Sequence, residues 1–160
     1  MELNPYARYL GGEDPIPVLF TTVGRLQTLV APLSMEQLAA RPAPGKWSIT
    51  EIVAHLADTE MVFGFRLRQT LAQTHPIIEP FDQEKWAERY AAYDIASALT
   101  MFTAARNWNL KLLGTVTESD QHRPTTHPER GTMTFWTLIE TMAGHDIDHL
   151  EQVERLAIGC

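Results

Sequence analysis

His145 and His149 stand four apart in GHDIDHLEQVERL, residues 144–156, a stretch whose spacing predicts helix. One helical turn places both imidazoles on one face, the spacing at which the His pair of a zinc-protease helix brings two nitrogens to one ion. The apolar stripe of this helix runs through Phe135, Leu138, Met142, His145, His149, Val153 and Leu156. Both imidazoles thus fill positions where a helical core expects Leu or Ile. One buried neutral imidazole is tolerated when both ring nitrogens find partners. Two without partners would cost several kcal/mol, at about 1–3 kcal/mol each. A shared divalent ion removes that cost, because neutral imidazole is a good ligand for zinc, nickel or iron. The competing reading is two ordinary core histidines.

A third ligand has to come from another element. His55, on the apolar face of a helix starting after Ser48, is the candidate, since bundles build metal sites from facing helices. His75, His122 and His127 lie beside prolines or in polar loops and read as surface histidines. His127 carries one reservation: HPERG could fold over the open end of the bundle. GHDIDHLE does not match the zinc-protease motif, because Asp146 stands where its glutamate belongs and no third ligand follows.

Four long helical segments must position these residues, and no segment alternates with period two. The first runs from Pro15 to Leu33, with Ile16, Leu19, Phe20, Val23, Leu26 and Val30 on its stripe. A short helix follows Ser34, where SMEQ has capping-box form. The second long helix opens with the capping box SITE, Ser48 to Glu51, and continues to about Gln73 through Ile52, His55, Leu56, Thr59 and Phe63. THPIIEPFDQEKWAERY reads as a crossover loop holding one turn of helix, and a loop that long usually shapes a pocket. Asp94 caps the third helix, expected to reach about Val116. TESDQHRPTTHPERGTM is a polar connection with room for a small hairpin. The fourth helix is expected from about Thr132 to Ala157. The fold class that follows is all-α, a four-helix bundle with a long crossover between its second and third helices, in a single domain over residues 1–160.

Composition narrows the chemistry. The 44% apolar and 21% charged fractions are those of a soluble globular protein. A formal net charge of −7, with no basic stripe, argues against nucleic acid and anionic membranes as partners. The expected location is cytoplasmic. Cys160 is the only cysteine, so neither a disulfide framework nor a thiolate zinc cluster is available.

GKWSITEIVAHLADTE, HPIIEPFDQEKWAERY and HPERGTMTFWTLIETMAGHDIDHLEQVERL, in this order, resemble the DinB-like superfamily and its YfiT-like branch. The resemblance implies a four-helix bundle with one divalent ion, zinc or nickel, on three histidines that fall here on His55, His145 and His149. It also implies either a metal-dependent hydrolase or an S-transferase using a low-molecular-weight thiol such as bacillithiol, mycothiol or glutathione, frequently as a homodimer. This chain departs from the branch's HxxHH pattern, having Asp148 where a histidine often precedes the last ligand.

Three protein ligands leave a coordination position open, the arrangement of a catalytic zinc site. Water there would have its pKa lowered toward about 7; a thiol there would become a thiolate without any protein cysteine. Asp58, one turn after His55, is the candidate catalytic carboxylate, as orienter or general base. Glu51 is expected to be spent on capping. Glu60 has three readings: support of the site, surface charge, or a salt bridge to an arginine such as Arg66. Trp47 and Trp136 are candidates for the pocket mouth or for core packing. The expected partner is a small-molecule substrate, and an apolar residue outside the seam, such as Phe20 or Trp108, would suit a homodimer face. The third alternative is a non-catalytic binding or dimerisation module.

Overall fold

The computed structural model describes residues 3–159; Cys160 lies outside the described residues. Its four long helices are α2 (Pro15–Val30), α4 (Ile49–Ala72), α6 (Ile95–Leu113) and α8 (Phe135–Ile158). Shorter helices precede and separate them: α1 (Ala7–Leu10), α3 (Met35–Ala39), α5 (Gln83–Ala87), a 3-10 turn at Tyr90–Ala92, and α7 (Glu118–Gln121). Strands β1 (Pro124–His127) and β2 (Gly131–Thr134) form a small antiparallel hairpin.

The long helices pack as a ring, α2 against α8, α8 against α4, α4 against α6 and α6 against α2. Consecutive α2 and α4 are therefore diagonal, as are α6 and α8. This is the expected four-helix bundle, with the crossover placed as predicted. Both capping boxes form, Ser34 with Gln37 and Ser48 with Glu51, and Asp94 caps α6 through the Ser97 amide.

Three boundaries differ from expectation. The first helix stops at Val30 with a still-helical Ala31 as its cap, because Pro32 has no N–H to continue the hydrogen-bond ladder. The third stops at Leu113 rather than Val116. Residues 132–134 belong to β2 and not to α8, since the threonines at 125, 126, 132 and 134 favour extended backbone and Gly131 supplies a turn at φ +94°. The crossover also holds more structure than one turn, both α5 and the 3-10 turn. It is stitched to the hairpin, Ile78 N–H donating to Thr126 O and Thr126 N–H to Pro76 O, each at 2.9 Å. Phe20, placed on the apolar stripe of α2, is 63% exposed, and Trp108 is 64% exposed. Phe20 thus corrects the expected stripe, whose core members are Leu19, Leu26 and Val30.

A buried ionic clasp ties all four long helices. Arg106 of α6, 1% exposed, meets Asp146 of α8 through Nη1 at 2.6 Å and Nη2 at 3.1 Å. Its Nη2 also donates to Glu60 of α4 at 2.7 Å, and its Nη1 to the Leu19 carbonyl of α2 at 3.0 Å. Thr22 Oγ1 donates to Asp146 at 2.7 Å, and Asn109 Nδ2 to Glu60 at 2.8 Å. The arginine expected near Glu60 was Arg66; the structure pairs Glu60 with Arg106 instead, which shares its depth in the core.

α1 lies over α8 at Gly144. A Cβ on Gly144 would stand 2.5 Å from the Tyr6 carbonyl oxygen and 2.8 Å from its Cβ. Gly144→Ala is therefore expected to destabilise the protein by about 1–3 kcal/mol, although alanine is the better helix former by about 1 kcal/mol. Urea unfolding reads this directly, and a variant more stable than wild type would contradict the close packing.

Candidate metal centre

His55 of α4 and His145 and His149 of α8 are all buried and converge in the bundle core. Their ligating nitrogens lie within 4.8 Å of one another, and Nε2 of His55 is 3.0 Å from Nε2 of His145. Nitrogens about 2.0–2.1 Å from a tetrahedral zinc ion stand about 3.3 Å apart, so the observed separation needs little adjustment to admit an ion. The donor set is all imidazole, suited to zinc, nickel, copper or iron.

The environment holds these rings neutral, the form that ligates. Burial, and then the neighbouring His149, pulls His55 down to about 3. Burial also depresses His145, reinforced by His149, His55 and Arg106. Burial lowers His149, while its contact to Gln152 and the nearby Asp148 and Asp146 act the other way. His149 Nδ1 lies 3.0 Å from Gln152 Oε1, which fixes the proton on Nδ1 and leaves Nε2 free to bind.

Unfolded histidine takes up its proton near about 6.5, whereas the folded rings resist it. The metal-free fold should thus be unaffected by these groups above that pH and lose stability as pH falls below it. For His55 the loss continues to about 3. Urea midpoints between neutral and acid pH measure the slope, which His145→Ala should flatten. An unchanged slope would contradict the burial of a neutral ring.

On the far side of His55, its Nδ1 lies 3.4 Å from the Tyr90 hydroxyl. Tyr90 is raised by burial first and by the Asp58 carboxylate beside it second. Burial also raises Asp58, and the Tyr90 hydroxyl opposes that shift. Asp58 is half-buried and sits behind His55 rather than in the cavity wall. If Nε2 of His55 is the ligand, Nδ1–H donates to Tyr90, leaving the tyrosine proton for Asp58.

A cavity of about 480 Å³ opens onto His145. Pro80 to Gln83 of the crossover form one wall and His127, Glu129 and Arg130 of the hairpin another, with Arg66 and Tyr6 also lining it. The long loop shapes a pocket, as expected of its length. His127, read as a surface residue with a reservation, is 6% exposed and lines this pocket. Its Nδ1 accepts the Glu129 N–H at 3.2 Å, so the neutral ring carries its proton on Nε2. His75 and His122 are exposed, as expected. Glu51 is spent on its capping box and a salt bridge to Arg41. Trp47 packs against His55 at 4.8 Å between ring centroids and His149 at 6.4 Å, whereas Trp136 lines a separate pocket.

Residues 21–153 match the model of the DinB superfamily. The chain belongs to that superfamily. A relative from Oceanobacillus iheyensis, 30% identical over 132 residues, covers 82% of this chain and 77% of its own length, and bears the name "Putative metal-dependent hydrolase". One from Geobacillus kaustophilus, 32% identical over 135 residues, covers 82% of this chain and 75% of its own, under the same name. YfiT from Bacillus subtilis, described as a probable metal-dependent hydrolase with an unusual four-helix bundle topology, superposes with a TM-score of 0.79 at 25% identity, covering 88% of this chain and 84% of that one. In this chain the superfamily's bundle carries a cluster of three histidines that could hold a metal ion. Among the described residues no helix is long and apolar enough to cross a membrane.

Proposed function

We propose that this DinB-superfamily chain is a divalent-metal-dependent hydrolase, with His55, His145 and His149 as the ligands of one zinc or nickel ion. The carrying observation is the convergence of three neutral imidazoles beside a cavity of about 480 Å³. When bound, the ion would supply an open position that acidifies a water molecule at neutral pH. The chain's own residues prepare that position. Burial keeps the three rings unprotonated, Gln152 orients His149, and Tyr90 orients His55 with Asp58 behind it. The crossover and hairpin walls reduce water access to the reacting group. The names borne by the relatives support the same reaction class for this chain.

The second reading is transfer of a low-molecular-weight thiol. No described residue lining the cavity is a cysteine, and in this reading the sulfur comes from a co-substrate. Zinc-loaded protein assayed on ester and amide substrates, with and without added thiol, separates the two. Turnover without thiol, lost on chelation and restored by zinc, is expected. Turnover that requires thiol would favour the second reading, and retention of no metal would defeat both.

In this reading Asp58 is a positioning residue. Tyr90→Phe keeps the buried ring and removes only its hydroxyl, so zinc affinity should fall about 10–100-fold with the fold intact. Asp58→Asn should move it the same way. Competition against a zinc-binding dye measures both, and wild-type affinity in Tyr90→Phe would remove Asp58 from the site.

A further inference from the structure

Two arginines in the cavity wall have no acidic partner among the described residues. Arg66, at 7% exposure, donates from Nη2 to the Glu79 carbonyl at 2.5 Å, while its buried Nε has no hydrogen-bond partner. Arg130 comes from the hairpin turn and is close enough for its charge to depress Arg66, after the larger effect of burial. Both charges, after burial, also depress His127. Neither arginine joins a salt bridge among the described residues. The acids that line the cavity, Asp82 and Glu129, are exposed, and Asp82 already accepts from the Lys85 amide at 3.1 Å.

A desolvated guanidinium with an open donor is expensive to bury and is stabilised by an anion that reaches it. Arginine's planar fork matches a carboxylate in particular. A monoanion also costs less to strip of water than a dianion such as phosphate. The cavity volume is within the usual range for a small ligand, about 300–1,000 Å³.

We propose that this cavity binds a small molecule bearing a carboxylate, held by Arg66 and Arg130, with its reacting group toward His145. The reacting end rests on the metal-centre reading above; the carboxylate end rests on the arginines alone. The carboxylate belongs either to a hydrolysable substrate or to a thiol co-substrate.

Four probes distinguish these sources: N-acetylcysteine, N-acetylserine and the amide of each, titrated calorimetrically into zinc-loaded and metal-free protein. Each acid should bind about tenfold more tightly than its amide in both states. Arg130→Gln and Arg66→Gln should each reduce the acid to the affinity of its amide, with zinc content unchanged. Arg130→Gln decides the matter if loss of the Glu79 contact unfolds the other variant. A thiol preference that appears only with zinc assigns the carboxylate to a thiol co-substrate; equal binding of serine and cysteine forms assigns it to a hydrolysable substrate. The proposal is overturned if acid and amide bind alike, if none of the probes binds, or if the preference survives both substitutions, since the carboxylate would then be going to the ion. Failure of the metal reading looks different: no zinc is retained while the metal-free protein still prefers the acids.

Discussion

Arg106→Ala is expected to abolish cooperative folding at ambient temperature. The guanidinium is the shared partner of Glu60 and Asp146, both buried, and it also satisfies the Leu19 carbonyl. Removing one member of a buried ion pair costs about 3–5 kcal/mol, and here two carboxylates lose their partner together. Total stability is about 5–15 kcal/mol, so the change takes most of it. The bidentate contact to Asp146, the contact to Glu60 and the carbonyl come from three different helices, and the hydrogen bonds left to the two carboxylates, from Thr22 and Asn109, carry no charge. Arg106→Met with Glu60→Gln and Asp146→Asn removes the charges together and should recover much of the loss. Urea unfolding followed by circular dichroism measures each variant. An Arg106→Ala transition within about 1 kcal/mol of wild type would mean that the clasp contributes no more than an ordinary surface contact.

His145→Ala is expected to abolish tight binding of a divalent ion while leaving the helical content intact. Its Nε2 lies 3.0 Å from that of His55, at the centre of the cluster, and it is the cluster member that borders the cavity. Without it, two imidazoles remain with no third side-chain donor of the cluster. The affinity loss should exceed the about 10–100-fold that follows loss of an outer hydrogen-bond partner. A small cavity replaces the ring, so some stability is lost as well, but a group that resists protonation goes with it. Competitive zinc titration gives the affinity. Wild-type affinity in this variant would place the ion elsewhere.

The seam of α8 was legible because helical period and residue type agree along its length, and only the two histidines break the apolar run. His55 could be paired with them because its own helix has a strong cap at Ser48 and a clear apolar face. Arg106 was not legible. Its place on the face of Phe102 and Asn109 resembles a long polar residue leaning to solvent, and its partners Glu60 and Asp146 lie 46 and 40 residues away. Three charges at core positions of three helices were the available signal. The cavity was only partly legible, because its walls come from a loop and a hairpin whose pairing depends on a bridge between Ile77 and Thr126. Local pattern carries no trace of such a contact. The same gap hid the place in the cavity wall of Arg130 and of Arg66, the latter expected only as a candidate partner of Glu60. Tyr90 carries no sequence signal, because it sits in a 3-10 turn of the crossover, where no periodicity marks a buried face.

The central claim is that three imidazoles hold one divalent ion. The most direct test is zinc K-edge X-ray absorption on protein reconstituted with one equivalent of zinc. The expected result is a nitrogen and oxygen first shell at about 2.0–2.1 Å with outer-shell scattering from three imidazole rings. An oxygen-only shell without imidazole scattering, or zinc that washes away before the spectrum can be taken, would contradict it.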